Sequence, residues 1–293
     1  MSVKPRRSVL YMPGSNPRAL DKARSLPADA LILDLEDAVA PEAKDEARAL
    51  VAEAVRAGGF GSREIVVRLN APGTPWYEAD LAAAVAAGPD AVLVPKVAGP
   101  ADVIAASRAL DAAGAAPGLA LWVMIETPAA LFALAGIAEA AAGTRLAAFV
   151  MGTNDLAKET RARIEPGRAA FLFALSAAVA AGRMAGLAVI DGVYNDIQDS
   201  AGFEAECRQG LAFGFDGKTL IHPSQIEACN MIFAPADAEV EQARAVIAAF
   251  DDPANAGKGV LKVNGKMTEL LHRDMARATV AIADAIAARA AAG

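Results

Sequence analysis

Charged side chains end the apolar, strand-like runs of this sequence at nearly equal intervals. Arg68 closes one run, Lys96 closes the next, Glu126 closes the third and Asp155 follows the fourth. The steps from 68 to 96, from 96 to 126 and from 126 to 155 are 28, 30 and 29 residues. Each step has the length of one strand–helix unit, and equal steps bring strand ends to one mouth of a barrel, where barrel enzymes carry their catalytic groups. Any single charge could be a solvated loop residue, but the regular spacing predicts a site.

Glu126 and Asp155 are carboxylates on neighbouring units of this repeat, and they favour a hard divalent ion. The chain has only two histidines, His222 and His272, which excludes a histidine-rich metal site. Mg²⁺ takes oxygen ligands, and one or two carboxylates with several waters are its usual set in proteins. We therefore predict a Mg²⁺ site on Glu126 and Asp155. Two structural alternatives stay open: Glu126 as an acid at a helix N-terminus, and Asp155 as a helix N-cap.

Short apolar runs alternate with longer, alanine-rich segments of helical period along most of the chain. Strand then helix, repeated eight times, is the element order of a (β/α)8 TIM barrel. Near-continuous apolar runs are typical of strands that are covered on both faces. The predicted strands are 8–13, 30–36, 64–70, 91–97, 119–126, 145–152, 187–191 and 216–221. The predicted helices are 17–26, 42–57, 76–87, 100–113, 128–142, 168–185, 199–212 and 223–232.

The pattern changes after residue 233, where we predict a C-terminal helical extension. A helix near 236–251 leads to a short β-like piece at 260–265 and to a final helix at about 269–291. The predicted domains are thus the barrel, 1–233, and the extension, 234–293. The final helix carries an apolar stripe that needs a partner surface, either its own barrel or a neighbouring subunit. The stripe consists of Leu270, Met275, Ala278, Ile282 and Ile286.

Composition excludes several classes of function. The net charge is −7 and no basic cluster is present, which argues against nucleic-acid and anionic-membrane partners. The longest apolar run, 169–182, is too short to cross a bilayer. Cys207 and Cys229 form no CxxC motif, so a disulfide framework and a thiolate zinc site are excluded, and a reducing cytoplasm fits. No G-x-S-x-G elbow supports serine-based thioester hydrolysis.

Seven motifs, in order along residues 6–275, resemble the citrate lyase β-subunit-like family of the HpcH/HpaI aldolase superfamily. This family includes malyl-CoA and citramalyl-CoA lyases. The motifs are RSVLYMPGSN at 7–16, LDLEDAV at 33–39, VRLN at 67–70, MIETP at 124–128, MGTNDL at 151–156, IDG at 190–192 and GKTLIHPSQ at 217–225. The resemblance implies a (β/α)8 barrel in which Glu126 and Asp155 hold Mg²⁺ and Arg68 lies over the substrate.

The resemblance also implies roles for residues around that centre. Arg68 would stabilise the thioester oxygen as enolate charge develops. Asp34, Glu36 and Asp37 would orient Arg68 and the waters on the metal. Arg18 and Lys22, which follow the PGSNP stretch, are the candidates for contacts with the phosphates of CoA.

One departure from the family pattern concerns the acid/base. Many family lyases carry G-x-M-I-D in a C-terminal segment that covers a neighbouring subunit's site, and its aspartate transfers the proton. Here the segment reads Gly265-Lys-Met-Thr-Glu269, so Glu269 is the candidate acid/base. The resemblance therefore implies a homotrimer or hexamer. The alternative is that Glu269 only complements a helix dipole.

The reaction that the resemblance implies is a reversible Claisen-type cleavage. A 3-hydroxydicarboxyl-CoA thioester would split into an acyl-CoA and a small 2-oxoacid such as glyoxylate or pyruvate. Two alternatives remain: hydrolysis of a malyl-CoA-type thioester on the same scaffold, or a citrate lyase β subunit that acts on a carrier-bound thioester within a complex.

Overall fold

Eight parallel strands close into a barrel in the order in which they occur along the chain. The protein is represented by a computed structural model, which describes residues 4–292. β8 pairs with β1, where Ser8 lies opposite Lys218, and this pairing completes the ring. The predicted (β/α)8 barrel is confirmed. The strands are β1 (Ser8–Pro13), β2 (Ala30–Asp34), β3 (Glu64–Arg68), β4 (Ala91–Val94), β5 (Ala120–Ile125), β6 (Leu146–Met151), β7 (Ala188–Asp191) and β8 (Gly217–Leu220).

Helices connect successive strands, and local sequence explains where several of them begin. Asn16 accepts a hydrogen bond from the N–H of Ala19 and caps α1, while Thr127 caps α5 through the N–H of Ala130. No helix in the described part of the chain has the length and apolar character needed to cross a bilayer. The helices are α1 (Pro17–Ala23), α2 (Lys44–Ala57), α3 (Tyr77–Ala87), α4 (Pro100–Ala112), α5 (Pro128–Phe132), α6 (Leu134–Glu139), α7 (Thr153–Thr160), α8 (Leu172–Met184), α9 (Ser200–Phe213) and α10 (Ile226–Ile232).

Several predicted element boundaries at the mouth of the barrel are wrong. The strand predicted at 64–70 ends at Arg68, and the strand predicted at 91–97 ends at Val94, so Lys96 lies in the loop after it. The strand predicted at 30–36 ends at Asp34, so Glu36 and Asp37 lie in the following loop. The helix predicted at 128–142 breaks at Ala133 into α5 and α6. The sequence predicts no element between 152 and 168, but residues Thr153–Thr160 form helix α7 directly after Gly152.

Alternate residues of each strand point into the barrel and pack as its apolar interior. Along a strand, residues i and i+2 share a face, so the interior positions continue upward in steps of two. In β2 they are Ala30, Ile32 and then Asp34; in β3 they include Val66 and Arg68. The interior therefore changes from apolar to charged at its carboxyl-terminal mouth. The other buried interior residues include Val9, Ala91, Leu93, Trp122, Met124, Ala148, Val150 and Ile190.

A second unit begins at Ile232 and has its own small core. It contains α11 (Asp237–Asp251), β9 (Val260–Val263), β10 (Lys266–Glu269) and α12 (Leu270–Ala292). The predicted β-like piece is one strand of a hairpin, whose turn at Asn264 and Gly265 has positive φ at both residues. The predicted packing of the extension on a neighbouring subunit stays a prediction. The core of this unit contains Ala243, Val246, Phe250, Val263 and Ala276.

Candidate active site

The charged side chains at the strand ends meet around one cavity at the carboxyl-terminal mouth of the barrel. Asp34 and Arg68 end β2 and β3, Glu126 directly follows β5, and Asp155 lies in the first turn of α7. The cavity has a volume of about 300 Å³. Its charged part is formed by these four residues and Asp37. Its other walls are formed by Tyr11, Ala38, Met124, Met151, Gly152, Thr153, Asn154, Val193 and Ile221.

Arg68 is buried and held by a group of carboxylates. Its Nε and Nη2 atoms each donate to Asp34 at 2.6 Å, the bidentate geometry that fixes a guanidinium plane. Its Nη1 atom lies 2.8 Å from Glu36 and 3.2 Å from Asp37. Its Cζ atom lies 4.8 Å from the ring centroid of Tyr11. Burial lowers the pKa of Arg68, but the charge and hydrogen bonds of Asp34 together with Tyr11 and Glu36 outweigh burial and raise it well above its usual range, so this cation is permanent.

The carboxyl of Glu36 is buried, whereas the carboxyl of Asp37 is exposed. Burial raises the pKa of Glu36 to about 8, although the nearby Arg68 charge opposes the rise. Asp37 is 65% exposed and reaches the same guanidinium from the solvent side. Around neutral pH, Glu36 therefore holds a proton in the folded protein.

Glu36 should make the folded protein less stable as the pH rises. The pKa of Glu36 is higher in the folded protein than its ordinary value of 4.5, so the folded protein binds more protons than the unfolded chain between these two values. The contribution of protonated Glu36 to the free energy of unfolding is complete below the pKa of the unfolded chain and is lost as the pH rises through about 8. We expect the Tm of the Glu36→Gln variant to fall less than the Tm of the wild type between about pH 5 and 8.5. Asp37→Asn is the matched control, and an equal fall in wild type and Glu36→Gln would contradict this assignment.

Glu126 and Asp155 lie on either side of one ammonium group. Glu126 is fully buried; its Oε1 atom accepts a hydrogen bond of 2.7 Å from the Lys96 N–H, and its Oε2 atom is buried without a hydrogen bond from the described residues. The Nζ atom of Lys96 lies 2.6 Å from Oδ2 of Asp155 and 3.4 Å from Oε1 of Glu126. A cation therefore already lies between the two carboxylates.

This arrangement fits a Mg²⁺ ion. The free Oε2 atom of Glu126 is an available ligand, and an ammonium at this point marks a position where positive charge is favourable. A Cβ atom on Gly152 would lie 2.4 Å from Cβ and 2.5 Å from Oε2 of Glu126, so a glycine is required beside the carboxylate. Within residues 4–292 no third Asp, Glu, His or Cys joins the pair in a metal-binding cluster. Two carboxylates with water and substrate oxygens match the usual Mg²⁺ set.

The two carboxylates differ in protonation. Burial raises the pKa of Glu126, against the opposing charge of Lys96. Burial also acts on Asp155, but the hydrogen bond and the charge of Lys96 outweigh it, so the pKa of Asp155 lies below its usual range. A metal ion bound to the pair would favour the ionised form of Glu126, beside an Asp155 that is already ionised.

The comparison with known families agrees with this geometry. The sequence profile described as HpcH/HpaI aldolase/citrate lyase matches residues 7–223. The chain belongs to this family. The predicted resemblance is thereby confirmed, and the chain is placed in a family of enzymes.

Individual relatives cover nearly the whole chain. It is 48% identical over 284 residues to a (3S)-malyl-CoA thioesterase of Cereibacter sphaeroides (strain KD131), covering 97% of this chain and 96% of the relative. It is 36% identical over 284 residues to the citrate lyase subunit beta of Escherichia coli (strain K12), covering 95% and 93%. Among solved structures, it resembles CitE of Mycobacterium tuberculosis in complex with magnesium, acetoacetate and coenzyme A. That match has a TM-score of 0.75 and 27% identity, and covers 94% of this chain and 97% of that one.

Three of the predicted site residues are not brought to this cavity by the barrel. Arg18 and Lys22 belong to the barrel unit but are not among the lining residues, and Glu269 belongs to the second unit. Arg18 and Lys22 are exposed and lie four residues apart on α1, hence on one face of that helix. Glu269 is exposed at the end of β10 in the second unit, where its N–H donates to Nδ1 of His272 at 3.0 Å. The CoA contacts of Arg18 and Lys22 and the acid/base role of Glu269 stay predictions.

Two lysines that sequence reasoning left without a role help to build the site. The Nζ atom of Lys44 donates to the carbonyls of Leu35 and Glu36 at 2.8 and 2.7 Å and so holds the loop that carries Glu36 and Asp37. The sequence does contain a signal for the burial of Lys44, because Lys44 lies at helical spacing from Ala47 and Val51 on the buried face of α2. Lys96 was noted only as a strand end, and its contact with both carboxylates depends on its left-handed backbone, φ 58°.

Proposed function

We propose that this protein is a Mg²⁺-dependent enzyme that acts on a malyl-CoA-type thioester and that hydrolysis of the thioester is its principal reaction. The observation that carries this proposal is one cavity that contains both a two-carboxylate metal site, Glu126 with Asp155, and a fixed guanidinium, Arg68. A metal and an arginine are suited to a substrate with carboxylate, hydroxyl and thioester oxygens.

The relatives support the substrate class. The relative with 48% identity is a (3S)-malyl-CoA thioesterase, and the alignment spans nearly all of both chains. The CitE structure carries magnesium, a small keto acid and coenzyme A. Transfer of these ligands to this chain is part of the proposal, as are CoA contacts at Arg18 and Lys22.

The residues of the cavity have distinct tasks in this reaction. Glu126 and Asp155 hold the metal, which when bound supplies Lewis-acid polarisation of substrate oxygens. Arg68, locked by Asp34, presents its guanidinium to the oxygen that gains negative charge at the thioester carbonyl. Because Asp34 fixes the guanidinium in advance, little reorganisation is needed when that charge develops.

The uncharged walls of the cavity limit the space around the thioester. Met124 and Met151 are buried, and Val193 and Ile221 also line the cavity. Apolar walls exclude bulk water and strengthen the charge interactions of Arg68. A small acyl part fits a cavity of about 300 Å³.

In hydrolysis, a water oxygen bonds to the thioester carbon, the carbon–sulfur bond breaks, and the CoA thiol leaves with a proton. The products of malyl-CoA are malate and CoA. The second candidate is the carbon–carbon lyase reaction, in which the bond between the α-carbon and the hydroxyl-bearing carbon breaks and acetyl-CoA and glyoxylate form. The observation that favours it is 36% identity to a citrate lyase β subunit over 95% of the chain.

A product analysis decides between these reactions. Purified protein is incubated with malyl-CoA and Mg²⁺, and free thiol, malate, acetyl-CoA and glyoxylate are measured over time. Equal amounts of thiol and malate without glyoxylate support hydrolysis, whereas acetyl-CoA and glyoxylate in equal amounts identify a lyase. Turnover that is the same in excess EDTA would contradict a metal-dependent reaction, and the absence of all products would contradict the substrate.

Glu269 should act in a subunit other than its own if the lyase-type acid/base is used. We expect a homotrimer or hexamer in which the C-terminal segment reaches a neighbouring site. Mixing an inactive Glu126→Ala chain with an inactive Glu269→Gln chain should then restore part of the activity, because some shared sites receive both intact residues. Subunit exchange without recovery of activity, or full activity of Glu269→Gln alone, would contradict the role of Glu269.

A further inference from the structure

Lys96 has an unusual backbone at the point where it meets the carboxylate pair. It follows β4 with φ 58°, a left-handed conformation that side chains disfavour. This conformation directs its N–H to Oε1 of Glu126 at 2.7 Å. Disfavoured backbone persists where surrounding contacts hold it, and it occurs often at functional sites. The Lys96 backbone is thus one anchor of Glu126.

The side chain of Lys96 neutralises the same pair. Its Nζ atom lies 2.6 Å from Asp155 and 3.4 Å from Glu126. Glu126 is fully buried, and a buried carboxylate without a counter-charge is strongly unfavourable. Among the ion pairs of residues 4–292, Lys96 is the cation that contacts both carboxylates.

A metal ion held by Glu126 and Asp155 is incompatible with the ammonium in its present position. Both cations neutralise the same two carboxylates, and two positive charges at such distances repel strongly in a partly buried site. The Lys96 side chain is 34% exposed and has a flexible four-carbon stem, so it can withdraw towards solvent. Binding of the metal ion therefore requires the Lys96 ammonium to leave the carboxylate pair.

We propose that Lys96 is an exchangeable counter-ion of the metal site: its ammonium occupies the space between Glu126 and Asp155 in the metal-free protein and is displaced by the divalent ion. It stabilises the metal-free mouth of the barrel and, as a competitor, weakens metal binding. This inference rests on the proposed metal site. It assigns to Lys96 a positioning role that acts through the two carboxylates.

The test replaces Lys96 with methionine, which keeps the backbone N–H and the length of the stem but removes the charge. We expect calorimetry with Mg²⁺ and with Mn²⁺ to show about tenfold tighter binding or more in Lys96→Met, because the competing charge is gone. In EDTA, Tm should be about 5 °C or more below that of the wild type, because the buried Glu126 and the half-buried Asp155 lose their counter-ion. In saturating Mg²⁺ this difference should disappear or reverse.

Two further variants make the result specific to charge at this position. Lys96→Arg keeps the cation and should retain weak metal binding. Lys158→Met removes a lysine that is exposed on α7, one turn after Asp155, and should change the metal affinity far less. If Lys96 had a purely structural role, Lys96→Met would lower Tm equally in EDTA and in Mg²⁺. If Lys96 is an exchangeable counter-ion, bound Mg²⁺ replaces its charge and the loss of Tm appears only in EDTA.

Each outcome has one meaning. Wild-type protein that binds neither ion overturns the metal site and this inference with it. Wild-type binding with unchanged affinity in Lys96→Met, or an equal loss of Tm in both buffers, overturns the role of Lys96 and leaves the metal site intact. Tighter binding together with destabilisation in EDTA alone supports the exchange.

Discussion

Replacing Glu126 with glutamine should remove most of the Mg²⁺ affinity of this protein and lower kcat by about 10³-fold or more, because a bound metal contributes several kcal/mol of charge stabilisation in the transition state. Glutamine is nearly isosteric with glutamate, so the close packing against Gly152 is kept. Its amide oxygen can still accept the N–H of Lys96. The variant therefore changes the charge and the metal ligand while leaving the fold of the mouth intact.

The measurements are a Mg²⁺ titration by calorimetry and the kcat at saturating malyl-CoA. Glu159→Gln is the matched control, since Glu159 is exposed on α7, four residues beyond Asp155. Asp155→Asn should also lower the Mg²⁺ affinity. A Glu126→Gln protein with wild-type Mg²⁺ affinity and turnover would remove the basis for the metal site.

The parts of the site that sequence predicted depend on a regular repeat. Arg68 ends β3, Glu126 directly follows β5 and Asp155 lies in the first turn after β6, and the closed barrel brings the ends of such nearly equal units to one mouth. Asp34 could be placed in the same way. The carboxylates on Arg68 were expected to orient it, and three of them do lie within 3.2 Å of its guanidinium nitrogens.

The features of the site that the sequence did not predict depend on contacts between elements that are distant in sequence. The backbone of Lys96 turns left-handed to meet Glu126, which lies 30 residues away, and no local motif encodes this turn. The raised pKa of Glu36 follows from burial in the loop held by Lys44. The hairpin turn at Asn264-Gly265 did have a local signal, the Asn-Gly pair that favours positive φ at both positions, but no strand was predicted after it, where β10 lies.

Replacing Arg68 should lower kcat by about 10²–10³-fold, the usual effect of removing one donor to a developing oxyanion. Alanine would also leave Asp34 buried without its partner, and such a change destabilises proteins by about 3–5 kcal/mol. Arg68→Lys is therefore the better variant, because it keeps the positive charge but loses the planar fork that binds Asp34 through two nitrogens. The KM for the CoA thioester should change less than kcat, since this guanidinium is expected to act on the transition state.

The carboxylates around Arg68 provide a graded test of the same role. Asp34→Asn keeps the size of the side chain but weakens the two 2.6 Å contacts that fix the guanidinium, so kcat should fall by about 10- to 100-fold, as for other groups that orient a catalytic residue. Asp37→Asn should have little effect, because Asp37 is exposed and makes one contact of 3.2 Å. The expected order of losses in kcat is thus Arg68→Lys, then Asp34→Asn, then Asp37→Asn. Circular dichroism and Tm identify any variant that fails to fold. If folded Arg68→Lys protein retains wild-type kcat while Asp34→Asn does not, Asp34 acts on the reaction by itself, and the oxyanion must be stabilised by another group in the cavity.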